Sequence, residues 1–284
     1  MAHWQQTGPL SRSLRADNPG PMTLDGTNSY VLGAFSHSAF SDSAAPGSGA
    51  VVVVDPGPLL EGHLAALAAA GRVELILVTH RHADHTEGSA RLRELTGAPV
   101  RAADPDFCHG GAPLSDGELI RAAGVEIGVL ATPGHTSDSV CFVLTDPALK
   151  NDGGPFQVLT GDTVLGQGTT VLDHPDGRLG DYLDSLERLR AVGGRDGQAV
   201  AVLPAHGPVL PDLAKIAAAY QAHRQERLAQ VRSAVDRLDK EGREATAEAV
   251  AAAVYGDVPA SLRGAAQLSV EAQLDYLRGA ASAR

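Results

Sequence analysis

Apolar residues along the chain fall into short blocks, and most blocks end at a tight turn followed by a histidine or an aspartate. Asn28–Leu32 and Ala50–Val54 read as strands, the second a β-branched run closed by Asp55-Pro56-Gly57. Val73–Thr79 is a continuous apolar strand that runs directly into His80. Val125–Ala131 leads to Pro133-Gly134-His135, and Ser139–Leu144 follows as another strand. Gln157–Thr160 leads to Gly161-Asp162, and Ala199–Leu203 to Pro204-Ala205-His206-Gly207. Between these blocks, helical composition covers Leu59–Ala70 before Gly71, Thr86–Leu95 before Gly97, and Asp181–Arg190. Phe35–Gly49 is rich in Ser, Ala and Gly and reads as a mobile hairpin loop. Strands alternating with helices predict a layered α/β fold with its chemistry at strand ends.

Beyond Pro211 the pattern changes. Asp212 to about Asp239 is one long helical stretch, and Thr246–Val254 and Leu262–Leu277 are shorter ones. The chain therefore divides into a layered domain over 1–210 and a small helical domain over 211–284. With 43% apolar residues and few aromatics, Ala, Val, Leu and Gly carry the packing. The net charge of -11 lies wholly in 1–210, because 211–284 holds ten basic and ten acidic residues. A region that acidic gives no long-range attraction to nucleic acid. The two cysteines, Cys108 and Cys141, stand apart, which excludes a disulfide framework and a thiolate metal site. The first ten residues lack a basic, then apolar, leader, and no apolar stretch is long enough to span a bilayer. A cytoplasmic protein with no membrane partner is expected, as monomer or homodimer.

The densest chemistry is His80-Arg81-His82-Ala83-Asp84-His85, four candidate ligands in six residues directly after a strand. Three further candidates, His135, Asp162 and His206, each stand in a turn after a strand. Imidazole with carboxylate suits zinc, and iron and manganese are also compatible. Seven such donors can hold two ions if one carboxylate is shared. Scattered histidines are usually surface or core residues, and His3, His37, His63, His109, His174 and His223 are read that way. A His-x-His-x-Asp-His run with three strand-end partners is not explained so simply.

The run and its strand-end partners resemble the metallo-β-lactamase superfamily over about residues 18–208. That resemblance implies a four-layer αββα sandwich. It also implies that His80, His82 and His135 hold one metal, that Asp84, His85 and His206 hold another, and that Asp162 bridges them. True β-lactamases generally carry a cysteine where Asp162 stands and lack the second His of the Asp-His pair, so antibiotic hydrolysis is not expected. Asn18-Pro19-Gly20-Pro21, Leu24 to Tyr30, Thr132 to Ser139, Gly161 to Gly166 and Tyr220 to Arg224 are similar to the branch of the endoribonuclease beta-lactamase-like protein two. That branch carries a small helical, winged-helix-like C-terminal domain. It includes a nuclease acting on single-stranded RNA, and fungal polyketide thioesterases are similar to it.

The resemblance therefore implies a dinuclear metallohydrolase holding two Zn2+, in which the cations make a shared water nucleophilic near neutral pH. RNA phosphodiesters are the first expected substrate and acyl-carrier or coenzyme A thioesters the second. A non-catalytic RNA-binding or scaffold chain is a third reading. Asp84 is expected to be a ligand that also orients the nucleophile. Thr27, Asn28, Thr136, Ser137, Ser139 and Thr169 are candidate substrate contacts, although turn formation, capping and support of a ligand would each explain some of them. Gly166-Gln167-Gly168 lacks the third glycine and strand–helix setting of a dinucleotide fingerprint, so no such cofactor is expected. Arg224, Arg227, Arg232, Arg237 and Lys240 could form a basic stripe for RNA, but interleaved acids favour a solvated helix face.

Overall fold

The computed structural model describes residues 3–33, 49–145, 157–194, 199–259 and 262–282. Apart from Gly49, the loop expected over Phe35–Gly49 lies outside them.

Two mixed sheets pack face to face. The first has the order β1 (Trp4–Gly8), β2 (Ser11–Arg15), β3 (Asn28–Leu32), β4 (Ala50–Val54), β5 (Arg72–Leu77) and β6 (Val100–Arg101). The second runs β11 (Ala201–Pro204), β10 (Gln157–Gly161), β9 (Val140–Thr145), β8 (Val125–Ala131) and β7 (Leu119–Ala122). Side chains alternate across each strand. Val52 and Val54 point between the sheets, with Tyr30, Leu77, Phe142 and Leu159, whereas Val51 and Val53 point outward. Burial on both faces explains why these strands are apolar throughout rather than alternating. The outer face of the first sheet is covered by α1 (Glu61–Ala68) and α3 (Ser89–Thr96) through Leu64, Leu67 and Leu92. The outer face of the second is covered by α4 (Leu179–Gly193) and the start of α5 (Leu213–Lys240), through Tyr182, Leu186, Leu189, Leu213 and Ala217. Each fully buried Leu or Phe of these layers contributes about 2 kcal/mol of hydrophobic stabilisation.

The expected αββα layering is therefore present. The C-terminal region is helical: the far half of α5, α6 (Ala247–Val254) and α7 (Arg263–Ser282) close a separate core around Val231, Ala234, Leu238, Val250, Val270 and Leu274. Among the described residues no strand follows β11, and no helix is long and apolar enough to cross a membrane.

One expected element is divided. The helix predicted from Thr86 to Leu95 is a single turn, α2 (Ala83–Thr86), and then α3. The break falls at Gly88, whose N–H donates to Gly57 O at 2.9 Å and whose Cα faces Leu64. A side chain there would collide with α1. Gly97 closes α3 in the left-handed conformation at φ 76°, as its position suggests.

Parallel pairing of β4 with β5 and of β10 with β11 brings their carboxyl ends to one edge of the sandwich. β8 runs the same way as β10, because both are antiparallel to β9. Two backbone bonds join the sheets at this edge, Val140 N–H to Thr79 O at 2.8 Å and Asn28 N–H to Ala205 O at 2.7 Å. Gly161 makes the approach tight enough: at φ 49°, an added Cβ would lie 2.7 Å from Thr79 Oγ1. Asp162 is thereby set against the His80–His85 turn.

Candidate metal centre

All seven predicted donors meet at that edge. His80 Nε2, His82 Nδ1 and His135 Nε2 form a triangle with sides of 3.1, 3.1 and 3.2 Å. Donor atoms around a tetrahedral zinc, bonded at about 2.0–2.1 Å, lie about 3.3 Å apart, so one ion suits this triangle. Beside it, Asp84 Oδ2 lies 3.2 Å from His206 Nε2 and 3.4 Å from His85 Nε2. Asp162 stands between the two groups. Its Oδ1 is 3.3 Å from His206 Nε2 and 3.6 Å from His85 Nε2, while its Oδ2 is 3.8 Å from His135 Nε2. Asp162 Oδ1 and His85 Nε2 are buried without a hydrogen-bond partner among the described residues. Orphaned buried donors of this kind fit a cation that the protein itself does not supply. The clusters could hold metal ions, and their nitrogen and oxygen chemistry fits zinc, iron or manganese.

The far nitrogen of every histidine is anchored. His85 Nδ1–H donates to Asp55 Oδ2 at 3.0 Å, His82 Nε2–H to Asp173 Oδ2 at 3.3 Å, and His135 Nδ1–H to Val171 O at 2.6 Å. His206 Nδ1 faces Gly26 O at 3.3 Å, and His80 Nδ1 faces Thr79 Oγ1 at 3.2 Å. Carboxylates and carbonyls only accept, so the outer nitrogen carries a proton, and the inner nitrogen of each ring is turned toward the cluster. Asp55 does more than hold His85, since it also accepts from the Thr79 N–H and hydroxyl, both at 2.8 Å. It does so at φ 52°, a strained conformation for a non-glycine residue.

Charge divides the donors. Burial and the neighbouring histidines hold His80 well below the usual imidazole range, and burial lowers His135. Burial would lower His85 too, but Asp55, Asp84 and Asp162 outweigh it and raise the group well above its ordinary value. His206, likewise against burial, is raised to about 9 by Asp162 and Asp84. Burial opposes ionisation of Asp84 and Asp162, yet His85 and His206 pull Asp84 far below the carboxylate range and bring Asp162 to about 2.

The remaining sequence candidates occupy two kinds of place. Thr27 is fully buried, and its hydroxyl donates to Asp84 Oδ2 at 3.1 Å. Asn28 donates to Pro204 O and Gly207 O at 3.1 and 3.0 Å, holding the turn that carries His206. The hydroxyls of Thr136 and Ser139, both buried, bond each other at 2.7 Å. Ser137 and Thr169 are exposed, and the Ser137 hydroxyl donates to Asp176 Oδ1 at 2.7 Å. Arg81, inside the histidine run, pairs with Asp173 and Asp176 at 3.2 and 2.9 Å. Sequence reasoning missed Asp55, Asp173 and the Val171 carbonyl. Asp55 follows a strand as the recognised donors do and was findable by that rule, whereas Asp173 and Val171 lie in an irregular loop with no such signal.

The model of the metallo-beta-lactamase superfamily matches residues 23–206, and the chain belongs to that superfamily and is a metal-dependent hydrolase. More particularly, it is 31% identical over 259 residues to an atrochrysone carboxyl ACP thioesterase of Aspergillus fumigatus, covering 86% of this chain and 73% of that one. It is 30% identical over 267 residues to a beta-lactamase-like protein 2 homolog of Caenorhabditis elegans, covering 92% and 81%. A metallo-beta-lactamase family protein of Thermus thermophilus shares the fold at a TM-score of 0.72 and 23% identity, covering 97% of this chain and 95% of that one.

Proposed function

We propose that the chain hydrolyses acyl thioesters, with His80, His82 and His135 holding one Zn2+, Asp84, His85 and His206 holding a second, and Asp162 shared between them. The observation that carries the reading is a complete seven-donor set in a chain whose relatives include ACP thioesterases similar over about three quarters of their length. When bound, the two ions supply Lewis-acid polarisation of the thioester carbonyl and a water acidic enough to ionise near neutral pH.

The chain's own residues do the rest. Asp84 stays ionised at any physiological pH, so it serves as an orienting acceptor at the mouth of the site rather than as a base. Thr27 fixes that carboxylate by donating to it. Asp55 and Asp173 hold the rings of His85 and His82 in register. Thr27, Asn28, Thr136 and Ser139, buried and bonded inside the protein, support the site, and the exposed Ser137 and Thr169 are left as substrate contacts. A thiol has a pKa of about 8.5, so the leaving thiolate departs without needing a proton in the same step.

The RNA-cleaving reading that the branch resemblance put first gains nothing from the comparisons. A basic stripe for RNA along Arg224–Lys240, already disfavoured by its interleaved acids, is also interrupted, because Arg224 turns into the protein and is only 5% exposed. The test is to incubate zinc-loaded protein with acyl-coenzyme A, acyl-N-acetylcysteamine and labelled single-stranded RNA. Thioester turnover that disappears in His82→Ala is the expected result. RNA cleavage with no thioester turnover would overturn the reading.

A further inference from the structure

One segment, residues 162–173, supplies one of the seven proposed ligands and touches three more. It begins at Asp162 itself. Gly166 N–H donates to His206 O at 2.8 Å, Val171 O accepts from His135 Nδ1–H, and Asp173 Oδ2 accepts from His82 Nε2–H. Asp173 N–H also donates to His135 O at 2.9 Å. Within the segment, the Thr170 hydroxyl closes the turn by donating to Asp162 O at 2.8 Å. Ligand placement therefore depends on where this irregular stretch of backbone lies.

Two side chains of α5 hold it from outside. Arg224 donates to Thr170 O, next to the carbonyl that anchors His135. Tyr220 Oη accepts from Leu165 N–H at 3.1 Å and lies 3.1 Å from Gly168 O and 3.2 Å from Leu165 O, so its single proton serves one carbonyl at a time. Both residues are buried, at 8% exposure for Tyr220 and 5% for Arg224. Arg224 has no carboxylate at ion-pair distance among the described residues, and its guanidinium sits 4.9 Å over the Tyr182 ring. Tyr182 reaches the same segment by donating to Thr163 O at 2.7 Å. Burying a guanidinium without a counter-charge is costly, and an apolar side chain of similar length would fill the space more cheaply. The polar groups at these positions answer the carbonyls of the segment.

We propose that Tyr220 and Arg224 are positioning residues for the metal centre: by clamping residues 162–173 from α5 they set the affinity of the seven-donor site for its ions. This rests on the metal reading above. The clamp makes the helix leading into the C-terminal region part of the hydrolase site, although both residues bond backbone groups of the segment and neither is one of the seven proposed ligands.

The test compares zinc affinity, by competition with a chromophoric chelator, in the wild-type full chain and in Arg224→Met, Arg224→Lys, Tyr220→Phe and Arg232→Met. Circular dichroism and the thermal midpoint of each metal-free protein are recorded alongside. Arg224→Met is expected to weaken zinc binding by about 10- to 100-fold and Tyr220→Phe by up to about tenfold, the range for residues that orient metal ligands. Arg224→Lys should restore part of the loss. Arg232→Met, an exposed change on the same helix, should leave affinity unchanged. If Arg224→Met fails to fold, Tyr220→Phe decides, because it keeps the ring and removes only the hydroxyl. Folded variants with wild-type affinity would overturn the clamp while leaving the metal reading intact. A wild-type chain that takes up no zinc would overturn the metal reading, and the clamp with it.

Discussion

The two halves of the proposed site are built from opposite electrostatics. Around His80, His82 and His135 the donors are all imidazoles packed 3.1–3.2 Å apart, and burial keeps His80 and His135 neutral, with lone pairs ready. Around Asp84, His85 and His206 the donors are mixed, and Asp55, Asp84 and Asp162 hold protons on both histidines in the metal-free chain. The first half therefore presents neutral imidazoles at His80 and His135 to a cation. The second is a proton-filled anionic cradle, in which a cation must displace what is already bound. Carboxylates behind and beside the histidines, with Asp84 itself among the donors, thus make the second ion conditional.

Asp162→Ala removes the carboxylate that stands between the two halves. It is expected to release the second ion and lower thioester hydrolysis at least about a hundredfold, read by metal analysis and steady-state rate. Two ions and a full rate in that variant would leave the halves independent. Acidification comes next. With His85 also held protonated, binding of the second ion must expel one proton from it and one from His206, at about 9, so affinity should fall by up to about a hundredfold per unit between pH 8 and pH 6 while the first ion is retained. Equilibrium dialysis at three pH values reads this directly, and parallel loss of both ions would erase the distinction. The His206 proton has a stability sign. Its contribution to the metal-free fold is complete below about 6.5 and is lost as pH rises through about 9, so protection by zinc against thermal unfolding should be greatest in alkaline buffer. Asp55→Asn keeps the shape but removes the charge behind His85, and should weaken the second ion by about 10- to 100-fold and spare the first, seen as a shift in one phase of a chelator titration. The smallest effect is expected from Thr27→Val, which takes one hydrogen bond from Asp84. About 1 kcal/mol, or roughly fivefold in second-ion affinity, is the expected loss.

Much of this was legible because apolar strands buried on both faces announce themselves, and because each recognised donor follows one of them. Val73–Thr79 running into His80, and Gln157–Thr160 running into Asp162, needed no other signal. What stayed hidden lacked such a contrast. β1 and β2 are polar strands, and β1 is an exposed edge with little apolar pattern to read. β7 escaped because its hairpin turn is Ala123-Gly124 with φ of 52° and 75°, a turn that Asn-Gly or Asp-Gly normally advertises. Asp55 was masked by its own neighbours, since Asp-Pro-Gly reads first as a turn. The placement of Thr27 beneath Asp84, 57 residues away in the chain, is a tertiary fact that no local pattern carries.

The helix α5 is 28 residues long, a rod of about 42 Å at 1.5 Å per residue, and it belongs to two cores at once. Leu213 and Ala217 close the outer layer of the second sheet, and Val231, Ala234 and Leu238 seed the helical core beyond it. No break in the helix separates these halves, so the two bodies share a single girder instead of a joint. A chain cut after residue 210 would lose more than an appendage, because the stripe of α4 and the sheet beneath it would face water where α5 had lain.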